Sequence, residues 1–293
     1  MPPRTRIRSS KKTRLLSIIP LGLVLIAAGA FVYVSKTPDS PFNPKLTPIS
    51  VAQALESYRK HPDRMHSEVA IPTDMPAPPA QQITGFTVPK PGVYTYTTDG
   101  QDWIEYNGQK YLRHFPTETA ATVRTAGGCG WELTFQAAEE YSDGHVQCSS
   151  PGEFLCLAHI QGITFGTITR LMEHQCHPAM IQVGDKASAD GGVNTAVCHA
   201  SEHDPSEITI TFKETTQITV DGQSRKAYHV LLDSKVDGEV KGTAIADVWF
   251  DAENGTYLKM VRKQDTYVDL SGGDRAYYRV RITYELTSLT PQT

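Results

Sequence analysis

Residues 277–291 read YYRVRITYELTSLTP. Tyr278, Val280, Ile282, Tyr284 and Leu286 fall on one side of an extended chain, and Arg279, Arg281, Thr283 and Glu285 on the other. A period of two with one apolar face marks a half-buried antiparallel strand whose other face is wet. The same texture spreads outward through VYTYTT, TAATVRT, WELTFQA, ITITF, KAYHVLL, TAIADVWF and TYLKMVRK, all rich in β-branched and aromatic residues. Asp99-Gly100, Asn107-Gly108, Asp221-Gly222, Asp237-Gly238 and Asn254-Gly255 read as the hairpin turns between them. GITFGTITRLME, residues 162–173, fits helix or strand equally. The expectation is a mainly β domain over residues 91–293: a strongly curved antiparallel sheet, or two half-barrel-like units at 91–175 and 176–293. DWIEYNGQKYLRHF and TQITVDGQSRKAYHV both run strand, Asn/Asp-Gly-Gln turn, strand, an echo that supports two halves.

The first 36 residues carry seven Lys or Arg and no acid. A basic stub, residues 1–14, precedes LLSIIPLGLVLIAAGAFVYV, residues 15–34, an uncharged run long enough to span ~30 Å as a helix. Basic residues stay cytoplasmic, so the run reads as one transmembrane helix with everything after it outside. AGA at 28–30 resembles a signal-peptide cleavage site, but the apolar run continues beyond it, as an anchor does. Beyond residue 36 stand 21 basic against 32 acidic groups, an excess of negative charge that excludes nucleic acid as a partner and makes the exterior domain a poor binder of anionic headgroups. Prolines recur through residues 35–90 and make this a stalk. Its one helical pattern lies near 50–61, where Ser50 caps and Val51, Ala54, Leu55 and Tyr58 share a face. It reads as a solvated helix of the stalk, with docking on the domain or lying on the membrane as alternatives.

The five cysteines are Cys129, Cys148, Cys156, Cys176 and Cys198. In an oxidising exterior they form disulfides, and an odd number leaves one over. Cys156 sits in the apolar run EFLCLAH and reads as a buried free thiol. Pairing neighbours joins Cys129 to Cys148 and Cys176 to Cys198, with other connectivities still open at this point. EHQCHP (173–178) and VCHASEH (197–203) make His174, Cys176, His177, Cys198, His199 and His203 the candidate zinc or copper ligands. Their spacing fits neither C-x-x-C nor H-E-x-x-H, and exported Cys176 and Cys198 should oxidise. Cys156 with His159 offers a nucleophile and base, but three residues apart on a regular strand they point to opposite faces. Glu139, Glu140 and Asp143 read as a solvated turn, GGCG (127–130) as a bend, and NGT (254–256) as a hairpin turn. No catalytic, metal or cofactor residue is therefore expected.

The motifs PGVYTY, CGWELTF…C, a later C…C, DVWFDAENGTYLKMVRK and the terminal YYRVRITYELTSLTP resemble those of uncharacterised single-pass membrane proteins of actinobacteria, across most of residues 91–291. That resemblance implies the pairs Cys129–Cys148 and Cys176–Cys198, leaves Cys156 outside the pattern, and carries no activity. A strand ending DVWF, a hairpin turn and a long return strand also look like the open half-barrels of periplasmic lipoprotein carriers, implying a curved sheet with an apolar concave face. The function expected is a non-enzymatic envelope module that binds a hydrophobic or envelope-derived ligand or a neighbouring envelope protein. A pocketless structural or sensory ectodomain, and a metal-dependent hydrolase on the His/Cys loops, are the alternatives.

Overall fold

The computed structural model describes residues 42, 44–62, 87–150, 153–184, 192–199, 205–270 and 272–293. The basic stub and the apolar run at 15–34 lie outside the described residues, as does His203. No helix of the described residues is long and apolar enough to cross a membrane.

Strands β1 (Gly92–Tyr106) and β2 (Gln109–His114) form a hairpin over Asn107-Gly108, both at positive φ (48° and 71°), as a two-residue turn between right-twisted strands requires. β3 (Glu118–Gly127) continues β2 in unbroken register: Gln101 faces His114 and Thr97 faces Glu118. The remaining strands are β4 (Gly130–Ala138), β5 (Tyr141–Ser150), β6 (Glu153–Phe165), β7 (Ile168–Gly184), β8 (Val193–His199), β9 (Pro205–Val220), β10 (Gln223–Asp237), β11 (Val240–Asp251), β12 (Tyr257–Asp269) and β13 (Arg275–Leu286). Each pairs antiparallel with its predecessor in one meander. β13 then returns to β1 over Tyr96↔Leu286 to Glu105↔Tyr277, so the sheet closes on itself. With β2 and β3 taken as one arm, the ring has twelve arms.

In place of two half-barrel units there is one continuous ring, and the expected division at 175/176 falls inside β7. The two echoing hairpins, β1–β2 and β9–β10, do form, each over an Asn-Gly or Asp-Gly turn at positive φ. GITFGTITRLME turns out to be the β6–β7 hairpin. Asp99-Gly100 is not a turn but the middle of β1, and closure explains its glycine. A Cβ at Gly100 would collide with the backbone of Arg281 and Ile282 on β13.

The period of two sorts the ring's faces. Val280, Ile282, Tyr284 and Leu286 point inward, and Arg279 and Arg281 outward onto Asp265 (3.2 and 2.7 Å). Lys259–Glu285 (2.7 Å) and Arg279–Glu105 (2.9 Å) extend this charged outer face across β12, β13 and β1, which therefore suits water and not lipid tails. Inside, an aromatic cluster fills the space between β1, β4, β6 and β11–β13: Tyr96 packs on Phe135 (4.9 Å), Phe135 on Tyr284 (4.4 Å), and Phe154 on Phe250 (5.0 Å).

Helix α1 (Val51–Lys60) carries a full capping box between Ser50 and Gln53. It is not a solvated stalk helix: Ala54 and Tyr58 are buried against Val93 and Ala120 on the outside of β1 and β3. The chain leading to it is docked as well, with Phe42 buried in the main core and Thr47 donating from N and Oγ1 to Glu140 (2.7 and 2.9 Å). Apolar residues expected to belong to a stalk thus complete the domain's hydrophobic surface.

Gly100→Ala is expected to lower the unfolding free energy by ~1–3 kcal/mol through overpacking against β13, as read by chemical denaturation. An unchanged midpoint would mean that β1 and β13 are not in contact at this point.

Candidate functional site

Inward-pointing residues of β5, β6 and β12 are polar. Tyr141, Asp143, His145 and Gln147 alternate along β5, and Arg262 and Gln264 along β12. Arg262 Nη1 lies 2.5 Å from Asp143 Oδ2, and Arg262 Nη2 donates to Gln264 Oε1 (2.8 Å). His159 Nε2 stands 2.7 Å from Asp143 Oδ1 and 3.2 Å from Arg262 Nη1, so its ring proton is placed to donate to the carboxylate. Burial opposes ionisation of Asp143, but Arg262, and after it His159, hold its carboxyl well below the usual carboxylate range. His145 is buried with its Nε2 3.6 Å from Asp143 Oδ1, beyond hydrogen-bond reach. Its ring lies between His159 (4.9 Å) and Tyr257 (5.1 Å), and burial pushes its pKa down to about 3 despite the attraction of Asp143. It is neutral throughout the physiological range. A second buried pair, Arg113–Asp102 (2.6 Å), is roofed by Phe165 at 3.4 Å from the guanidinium carbon.

Beside the Asp143 group lies a partly open cavity of about 100 Å³. Its polar wall includes His145, His159, Gln161, Gln182, Arg262 and Gln264; its apolar wall includes Met172, Met180, Ile208, Leu232, Val248 and Met260. Cys156 and His159 both line it, against the expectation of opposite faces. The reason is a bulge: Gln147 pairs with Cys156 and Val146 with Ala158, so Leu157 is an extra residue and reverses the alternation. On the other side of β6, Cys156 pairs with Met180 and Ala158 with Gln175. Residues 176–179 of β7 therefore bow out opposite Leu157.

This bow is where EHQCHP sits. Cys176 is bonded to its cross-strand partner Cys198, and Cys129 to Cys148. Among the described residues, β7 and β8 pair only at Gln175↔His199 and Cys176↔Cys198, whereas β8 pairs with β9 along its length. The disulfide thus stands at the end of the pairing, where the wall beside the cavity is least tied. His174 lines the cavity, while His177 and His199 are exposed, so the candidate ligands do not converge. Cys156 is free and buried, and burial pushes its thiol up to about 12, leaving no thiolate for nucleophilic attack at neutral pH.

The grouping that does converge lies where the sequence suggests a solvated turn. Glu139 and Glu140 form that turn, and Asp143 is fully buried beyond it. Asp143, His145 and His159 bring one ligand atom each within 4.8 Å of one another, a set suited to a transition metal. Arg262 already faces both Asp143 and His159, however, and a dication there would sit against a buried guanidinium. The set holds its own cation. Only the alternation of YSDGH, with Asp143 and His145 in phase with Tyr141, could have signalled this group in the sequence.

No family model, curated protein or solved structure matches the chain.

Two outcomes are expected. A depressed folded-state pKa of a histidine means that the folded chain disfavours the proton, so stability is lost as pH falls below the unfolded value. The His145 contribution is therefore complete above pH ~6.5 and drains away toward pH 3. His145→Gln should flatten the dependence of the denaturation midpoint on pH between 6.5 and 4; an equal slope in both proteins would contradict it. Arg262→Met leaves Asp143 buried without its partner and should cost ~3–5 kcal/mol, much of it regained in Arg262→Met/Asp143→Leu.

Proposed function

We propose that this is a membrane-tethered, extracytoplasmic binding module whose barrel interior receives a small ligand with an apolar body. The observation that carries the reading is the cavity between the Asp143 group and the wall of Met172, Met180, Ile208, Leu232, Val248 and Met260. A concave space with one polar end and one apolar side is the usual form of a small-molecule site. At about 100 Å³ it falls below the ~300–1,000 Å³ of drug-sized pockets, which argues against a full lipid acyl chain and for a compact occupant. Two disulfides support an oxidising exterior, and the charged outer wall supports a domain that stands in water. The uncharged run at 15–34, with basic residues crowded ahead of it, supports an anchor with its N-terminus in the cytoplasm. The reading is non-enzymatic because the interior's acid, base and cation are committed to one another.

Three of the six methionines, Met172, Met180 and Met260, line the cavity. Methyl NMR of the full-length chain labelled at methionine, titrated with benzene, should move these three resonances together and leave those of Met1, Met65 and Met75 in place. If none of the three moves up to the solubility limit, the interior does not admit ligand and the reading falls. A stable protein partner recovered by crosslinking, without any interior ligand, would instead favour an interaction ectodomain.

A further inference from the structure

The chemistry of a ligand can be inferred from the cavity wall, an inference that rests on reading the interior as a binding site. Among the cavity's lining residues, two buried side chains have polar atoms with no hydrogen-bond partner among the described residues: Gln182, at both Oε1 and Nε2, and His145 at Nε2. Gln182 is 1% exposed and His145 8%. Gln182 stands near the Tyr257 hydroxyl, which accepts from Gln147 Nε2 at 2.9 Å and keeps its own proton to donate, but neither Gln182 atom meets it in normal hydrogen-bond geometry. The larger polar groups beside them are engaged. Gln161 and Gln264 bond each other amide to amide at 3.3 Å, and Arg262 and His159 are held by Asp143. Burying an amide whose oxygen and nitrogen both lack a well-formed hydrogen bond is costly, and such groups in native interiors are met by a ligand or by ordered water.

We propose that the cavity binds a small uncharged amphiphile, with a carboxamide or comparable donor–acceptor head group on Gln182 and His145 and an apolar body on the methionine-rich wall. The head must offer both a donor and an acceptor, because Gln182 presents one of each. It must be neutral, because Asp143 and Arg262 compensate one another and His145 is uncharged, so the cavity has no countercharge for an ion. The body must be short: a dry cavity of ~150 Å³ accommodates benzene, and the space here is about 100 Å³ and partly open, so it takes a body of benzene's size or smaller with the rest of the molecule toward the opening. Met172, Met180 and Met260 suit such a body without fixing its shape, since thioether chains adapt to irregular surfaces.

The test compares hexanamide, hexanoate, hexylammonium and benzene against the full-length chain, read at the methionine methyls. Hexanamide should shift Met172, Met180 and Met260 and bind at least ~ten-fold more tightly than either ion. Gln182→Met, which keeps the side-chain length and removes both polar atoms, should weaken hexanamide by about ten-fold, the loss of one to two net hydrogen bonds, and leave benzene unaffected or tighter. Should that variant fail to fold, Gln182→Ala is read in the same way. If hexanamide binds no better than the ions, or is indifferent to the loss of Gln182, ordered water alone satisfies these groups. The proposed head-group chemistry is then overturned, while benzene binding would preserve the cavity reading. If neither hexanamide nor benzene moves the methyls, both fall together.

Discussion

A ring of twelve strands encloses more space than its inward side chains can fill with hydrocarbon, and the interior is organised by that constraint. Eight strands leave a lumen that side chains just fill, and sixteen leave an aqueous channel. The chain solves the intermediate case unevenly. Tyr96, Phe135, Phe154, Phe250 and Tyr284 occupy one part with rings in contact, and long polar side chains reach inward from β5, β6 and β12 in the rest. Arg262 and Asp143 come from strands far apart in the sequence and meet inside, so their ion pair is a strut as much as an electrostatic contact. Such a pair is weak evidence for net stability, because desolvation offsets its attraction. Its effect is to tie β5 to β12 across the interior beside the cavity.

Most of the wall was legible in the sequence. Alternation in residues 278–286 set the inward and outward faces of β13, and Asn107-Gly108, Asp221-Gly222 and Asn254-Gly255 do mark turns. What could not be read was closure. Pairing between β1 and β13 joins residues some 180 apart, and nothing local in either strand distinguishes an edge from a seam. The one trace was Gly100, which the hairpin rule misassigns: an Asp-Gly pair can mean a turn or a place where another backbone passes close. The helix was legible from Ser50 and its apolar face, but its docking was not, because that depends on what Val93 and Ala120 leave uncovered.

The interior was the least legible part. Asp143, His145 and His159 lie on strands whose pattern says only that they point the same way as Tyr141 and Ile163. EHQCHP is the more conspicuous candidate for a metal, yet its residues divide between a disulfide, the cavity wall and the surface. Bulges cause the division. One extra residue at Leu157 and a bow at residues 176–179 shift the phase of β6 and β7, and a reading that assumes an unbroken period of two assigns the wrong faces beyond them.

The order of strands around the ring also governs how the domain is made. From β4 onward each strand can pair with its predecessor as soon as both are free to fold, since the wall is a meander of neighbours. Closure waits for β13, Arg275–Leu286, and until those twelve residues emerge the growing sheet has two bare edges and an uncovered interior. Neither disulfide shortens the wait, because each staples adjacent strands and neither spans the seam. The sheet is therefore an open ribbon until β13 has joined it, and only then becomes a barrel. A chain stalled before β13 would be a substrate for holding chaperones and for edge-to-edge association, not a smaller version of the same domain.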